Sequence, residues 1–295
     1  MASVALSLGL VSIGNFKKGT TMAADIVLSA GVRANLLQLQ KTSEIITSTQ
    51  SKLATGKRVN SALDNPINYF TAAGLQNRAG DLGNLLDSMS TGINTIQAAN
   101  NGITAITKLV QSGQALASQA MQTSDTTIRA SLATQFDAIR TQITQLAGDA
   151  GFNGINLLDS GNSSNLTVTL NEHGTSSVTI TAVDFSATGL AVNAAANSWA
   201  GTADIGAANT DLTAALSTLR SQSQAFGSNL STVQIRQDFT KSMINTLQTG
   251  ADALTLADSN EEGANLLALQ TRQQLSTTAL SLASQASQAV LRLFG

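Results

Sequence analysis

Between Ala24 and Leu53, apolar side chains recur every seven residues at Val32, Leu39, Ile46 and Leu53. The interleaved positions Leu28, Asn35, Thr42 and Thr49 turn polar along the chain. Sustained sevens predict a helix of coiled-coil type. Gly56 fits its carboxyl-terminal cap, where a left-handed backbone suits glycine. Lys57 and Arg58 suit the negative end of the helix dipole. Asp64-Asn65-Pro66 then reads as a new start: Asp64 or Asn65 caps free N–H groups, and Pro66, the chain's one proline, fits the first helical turn. A linker of about ten residues thus separates two long helices.

The second helix is expected from about Asn65 to Met121, with Leu75, Leu82, Leu85, Ile93, Ile96, Ile103, Ile106, Leu109 and Leu116 as apolar positions. A break near Thr123–Asp125 precedes a third helix over about Thr126–Ala147, apolar at Ile128, Leu132, Phe136, Ile139, Ile143 and Leu146. The period then changes from helical to alternating. Asn153-Gly154 signals a tight turn. "NLTVTL" and "SVTITAV" alternate on either side of "NEHGTS", a β-hairpin pattern. Asp184–Ala208 is rich in Ala, Asn and Gly and reads as loop, with Trp199 in it. Helical pattern returns over Asp211–Gly250, and a last helix over Glu262–Phe294. There Ala268, Leu275, Ala279, Leu282, Ala286, Ala289 and Leu293 follow four-three spacing, interrupted by Arg272. The predicted fold is mainly α: a long antiparallel helical bundle or coiled coil with a small central β-hairpin region.

The two ends are matched. Counted from Met22, Lys57-Arg58 lies about as far from the start as Glu261-Glu262 lies from the end. Antiparallel pairing of the terminal helices either makes these basic and acidic pairs neighbours or leaves both as solvated linker charges. A two-helix pair buries only one side of each helix, too little to offset the ordering of two such backbones. The ends are therefore expected to fold when further subunits pack around them.

Composition narrows the chemistry. Charged residues make up 12% of the 295-residue chain, about half the usual ~25%, so the surface is largely Ser, Thr, Asn and Gln. A net charge of -2 gives no basic footprint for nucleic acid. The chain has no cysteine and one histidine, His173, in a polar turn. That excludes disulfides and thiolate chemistry and leaves no triad or zinc set. Gly56-Lys57 is not a phosphate loop, because Arg58 follows the lysine and Ser51 stands where the first glycine belongs. No convergent set of ionisable residues suggests an enzyme, and no cofactor or metal is expected. No apolar run reaches membrane-spanning length. At the amino end the lysines follow the short apolar stretch, the reverse of a secretory signal. Residues 1–21 read as a leader from a misplaced start codon, with translation beginning at Met22.

Four stretches resemble the bacterial flagellins. "IVLSAGVRANLLQLQ" is similar to their amino end, "LATGKRVNSALDNPINYFTAAGL" to the signature that follows it, "GFNGINLLD" to the Phe-Asn-Gly turn, and "SNEEGANLLALQTRQQLSTTALSLASQASQAVLRLF" to the carboxyl-terminal helix. The resemblance runs in order from Met22 to Gly295 and is closest to short alphaproteobacterial flagellins. It implies a secreted structural subunit of the extracellular flagellar filament, serving swimming motility. Residues 22–56 and 257–295 would form the inner D0 helices and 57–64 the linker between layers. The D1 layer would comprise 65–159 and 209–256, with a short variable region at 160–208. Val32, Leu39, Ile46, Leu53, Leu275, Leu282, Ala286 and Leu293 would be polymerisation seams. Gly56, Lys57, Arg58, Pro66, Glu261 and Glu262 would mark the layer boundary. Implied partners are copies of the same chain, the filament cap and hook-junction proteins, and an export chaperone on the carboxyl-terminal helix, with no nucleic acid and no membrane span. In many flagellins a charged D1 cluster is read by a Toll-like receptor. Here Ser112, Gln114 and Ala115 stand in that stretch, which implies weak or absent receptor activation. The rival readings are a hook–filament junction protein and, in another class, a helical signalling hairpin.

Overall fold

The computed structural model describes residues 30–161 and 165–294, and of Ser287, Val290 and residues 291–294 the backbone alone. The leader, Met22 and Leu28 lie outside the described residues. In chain order the elements are α1 (Ala30–Thr55), α2 (Pro66–Gln122), α3 (Thr126–Asp149), β1 (Leu166–Thr169), β2 (Ser177–Ile180), a short 3-10 turn (Ala196–Trp199), α4 (Thr202–Thr255) and α5 (Ser259–Phe294). The fold is mainly α with one small antiparallel β-hairpin, the class expected from the periodicity. Two compact units divide it. One joins α1 to α5; the other is Lys57–Leu256.

In the first unit, α1 and α5 pair antiparallel. Ala257 N–H donates to Gly56 C=O at the joined end, and Lys52 Nζ reaches Glu262 Oε1 at 3.2 Å. Gly56 stands at φ +67, and a Cβ there would meet nothing within 4 Å. Backbone conformation, not space, selects glycine at this cap.

The second unit is built on α2 and α4. Asn65 Oδ1 accepts from Asn68 N–H at 3.0 Å and Pro66 opens the helix. Such a cap stabilises a helix start by ~1 kcal/mol. From Leu82 to Ala120 the buried positions of α2 alternate by three and four, through Met89, Ile96, Ile103 and Val110. Facing it, α4 buries Leu219, Phe226, Val233, Thr240 and Leu247, seven apart. Matching sevens keep two long helices in contact along their length. Half of the buried positions of α2 are small: Ala72, Ala79, Gly92, Ala99, Gly102, Gly113, Ala117 and Ala120. Smallness admits the neighbours. A Cβ at Gly92 would overlap Val168 of β1, and one at Gly102 would lie 2.7 Å from both Ala150 Cβ and Leu158 Cδ1.

Asp125 caps α3 by accepting from Thr127 and Ile128 N–H. After α3, Asn153 and Gly154 take φ of 49 and 80 in the tight turn, with Phe152 and Ile155 exchanging both backbone bonds. Asn156 closes the end of α3. Its Nδ2 donates to the Ala147 and Gly148 carbonyls while its Oδ1 accepts from Leu158 N–H. In the hairpin, Leu166 pairs with Ile180 and Val168 with Val178.

Two expectations are corrected. The stretch Asp184–Ala208 is loop only as far as Gly201, and that loop is packed into the core: Phe185, Ala187, Leu190, Val192 and Trp199 are buried, and Trp199 packs on Phe136 with ring centroids 5.0 Å apart. Tertiary bonds hold this aperiodic stretch, with Arg140 Nε donating to Val192 C=O and Asp137 Oδ1 accepting from Ala195 N–H. Helix α4 also starts at Thr202 rather than Asp211, because Ile205 and Ala208 find partners in that core. Arg129 ties the corner together, donating to the Ala120, Thr123 and Ala200 carbonyls.

Candidate functional site

The terminal helices carry more apolar surface than they bury on one another. Along α1 the covered positions are Val32, Asn35, Leu39, Thr42, Ile46, Thr49 and Leu53, so the seam read from sequence is the face turned to α5. Along α5 the covered positions are Glu262, Leu266, Leu269, Gln273, Ser276, Leu280 and Ala283. They also repeat by fours and threes, but in another phase. Leu275 is two residues beyond Gln273, roughly 200° around the helix. The sequence-derived seam of α5 therefore faces away from α1: Leu275 is 66% and Leu282 62% exposed, and Ala268, Ala279, Ala286 and Ala289 are exposed with them. The Leu293 side chain lies outside the described residues.

The helix has two heptad stripes, and the contact within the chain uses the more polar one. Helix α1 shows the same excess, with Leu36, Leu37 and Ile45 exposed beside its covered stripe. Burying a leucine or isoleucine is worth ~1.5–3 kcal/mol. With Leu267, also exposed, six large aliphatics among the described residues are left outward on this two-helix unit, an uncovered apolar surface.

The boundary residues serve their own units. Arg58 N–H and Val59 N–H donate to Thr255 C=O, and Arg58 Nη2 donates to Ala253 C=O at 3.0 Å. Lys57 forms an antiparallel bridge with Leu256. Pro66 opens α2 as described. Glu262 takes Lys52 as its partner, while Glu261 sits exposed in the first turn of α5, where Asp258 Oδ1 caps the Asn260 and Glu261 N–H groups.

Two further features lie in the Lys57–Leu256 unit. Residues 59–65 form a bonded loop in which Asp64 Oδ2 accepts from Asn60 N–H, Ser61 N–H and Ser61 Oγ. It presents Leu63, 96% exposed, beside Ile67 and Phe70, 76% and 65% exposed. A groove of about 300 Å³ lies between α2, α4 and the hairpin tip. Arg78 Nε bonds Glu172 Oε1 there at 2.6 Å. Glu172's own backbone N–H first, and the Arg78 bond second, hold its carboxyl below the usual carboxylate range. The Arg78 and His173 charges act in the same direction and burial opposes them. A depressed carboxyl stabilises the folded form above its unfolded pKa and loses that contribution as pH falls through the folded value. The hairpin tip will therefore loosen from α2 in acid, below the usual carboxylate range. Amide exchange at Asn171–Thr175 will rise there in the native chain, and Glu172→Gln will remove the pH dependence.

Among the described residues, no three His, Cys, Asp or Glu side chains are grouped to hold a metal ion, and no helix is long and apolar enough to cross a membrane.

Comparison with known proteins follows the same lines. Residues 30–163 match the bacterial flagellin N-terminal helical region. Flagellin FljM of Caulobacter vibrioides is 31% identical over 90% of this chain and 97% of its own length. A flagellin of Brucella melitensis is 26% identical over 92% of this chain and 99% of its own. The crystal structure of Bacillus cereus flagellin is similar over 53% of this chain and 88% of that one, with a TM-score of 0.45 and 21% identity.

Proposed function

The chain belongs to the bacterial flagellin family and is a structural subunit of the self-polymerising flagellar filament, not an enzyme; on that premise we propose that its α1–α5 unit is the part completed by neighbouring copies. Residues 22–56 and 257–295 act as the inner D0 layer. Residues 65–159 and 209–256 act as D1, with 160–208 as a short insert and 57–64 as the linker. The observation that supports this reading is the second heptad stripe of α5, whose Leu275 and Leu282 have no cover from α1. The stripe of α1 that includes Val32, Leu39, Ile46 and Leu53 is already engaged by α5, so the outward Leu36, Leu37 and Ile45 are its contribution to assembly.

A heptad stripe takes another helix. In the filament that helix comes from a sister chain. Before assembly, the export chaperone occupies the same carboxyl-terminal helix while the chain is on its way to the extracellular filament. The cap and hook-junction proteins meet the two ends of the polymer. Such contacts are heterologous and do not close, which is what an open filament needs.

Limited proteolysis of free and polymerised chain tests the reading. In dilute monomer, cleavage will concentrate in α1 and α5 while Lys57–Leu256 resists; in polymer grown on filament seeds, α1 and α5 will be protected. A solitary chain with both terminal helices resistant, and with no capacity to elongate seeds, would overturn it.

A further inference from the structure

Heterologous contact between copies needs a projection and a receptor on the same body, and the Lys57–Leu256 unit carries both. The projection is Leu63 with Ile67 and Phe70. Its loop is fixed before any partner arrives: Val59 is buried, Arg58 and Val59 N–H hold Thr255 C=O, Asp64 gathers three bonds, and Leu63 N–H donates to Ser61 Oγ. Nothing inside the fold gains from holding three large apolar side chains in water. A rigid apolar display spares the ordering entropy that a mobile loop loses on docking.

The receptor is the groove at the hairpin tip. Leu82 and Leu170 are buried at its base, Met243 is half-buried, and Phe239 is exposed at its edge. At about 300 Å³ it holds on the order of ten water volumes, space for the side-chain carbons of Leu63 and Ile67.

Resting on the filament reading above, we infer that Leu63 and Ile67 of one copy dock in the Leu82–Leu170–Phe239 groove of a second copy. The geometry fixes a stagger. Ile67 and Leu82 are fifteen residues apart on α2, about 22 Å at 1.5 Å per residue. Two parallel copies joined this way are displaced by roughly that distance along the rod, and because projection and receptor differ, the contact repeats from copy to copy.

The absence of cysteine permits a direct test in the full chain. Ala62→Cys and Ser176→Cys flank the two partners and leave Leu63 and Phe239 in place. Polymer of the double variant, treated with a short bismaleimide, will give a ladder of dimers, trimers and longer species, while each single variant stays monomeric on the gel. Polymer that forms without a ladder, or crosslinking confined to a single chain, would overturn the contact. In a second measurement, Leu63→Ala/Ile67→Ala will elongate wild-type seeds at least tenfold more slowly, with unchanged helicity. Elongation at the wild-type rate would also overturn it. Failure of the wild-type chain to elongate seeds would instead count against the filament reading, so the two failures are distinct.

Discussion

A chain carrying Leu275→Ser and Leu282→Ser will fold its Lys57–Leu256 unit normally and will not add to filament seeds at concentrations where the wild type grows. The two leucines are 66% and 62% exposed in the isolated subunit. About two-thirds of their ~1.5–3 kcal/mol burial energy each therefore remains for a neighbour to realise. Together that is roughly 2–4 kcal/mol per added subunit, and at ~1.4 kcal/mol per tenfold the critical concentration rises about 30- to 700-fold. Serine is as small as the stripe's own alanines, so the loss comes from removed apolar contact and not from a clash. Sedimentation of polymer across a concentration series reads the shift, and thermal melting of Lys57–Leu256, which contains neither residue, serves as the internal control. A double variant with the wild-type critical concentration would place the interface elsewhere on α5.

Which stripe of α5 does what could not be read from sequence, and the reason is physical. Hydrophobic periodicity finds the greasiest face, and it found Leu275 and Leu282. The face covered by α1 contains Gln273, Ser276 and Glu262, which no apolar template would choose. The subunit covers the stripe that mixes Leu266, Leu269 and Leu280 with polar residues and leaves outward the one that carries Leu275, Leu282 and alanines. On α1 the ambiguity did not arise, because Val32, Leu39, Ile46 and Leu53 already form the covered face. Local chemistry was legible wherever the backbone needs a particular residue: Gly56 at a positive φ, Asn65 and Pro66 opening α2, and Asn153-Gly154 in a tight turn. Long-range packing was not. The small half of the α2 seam looks like weak pattern until Val168, Ala150 and Leu158 come to rest on it. Phe185, Leu190, Val192 and Trp199 share no period at all. They are core because Arg140 and Asp137 on α3 bond the backbone between them. The ten residues before Asp211 hold little apolar surface beyond Ile205, so their helix appears only once that side chain has a core to enter.

Gly102→Val will lower the stability of the Lys57–Leu256 unit by roughly 3 kcal/mol or more, the upper range for overpacking, while Gly80→Ala in the same helix will raise it by about 0.5–1 kcal/mol. Both glycines lie inside α2, where glycine is a poor helix former, so propensity alone predicts a gain at each. Their surroundings set them apart. A Cβ at Gly80 meets nothing within 4 Å, whereas one at Gly102 lies 2.7 Å from Ala150 Cβ and Leu158 Cδ1. Neither neighbour can yield cheaply. Ala150 Cβ is fixed to the backbone that ends α3, and Leu158 is fully buried with its N–H held by Asn156 and its C=O by Phe185 N–H. The extra volume must therefore push the Ile155–Asp159 stretch off α2, along with the Phe185 region bonded to it. For a unit of this size the loss corresponds to a fall of about 6–12 °C in melting temperature, measurable by far-UV circular dichroism on the full chain. Gly92→Ala, whose Cβ would lie 2.5 Å from Cγ2 of the buried Val168, a β-branched side chain stiff at χ1, will be destabilising as well. Should Gly102→Val melt with the wild type and Gly80→Ala bring no gain, close helix–loop approach would not be why α2 keeps glycine at 102, and the seating of the insert against α2 would need another physical basis.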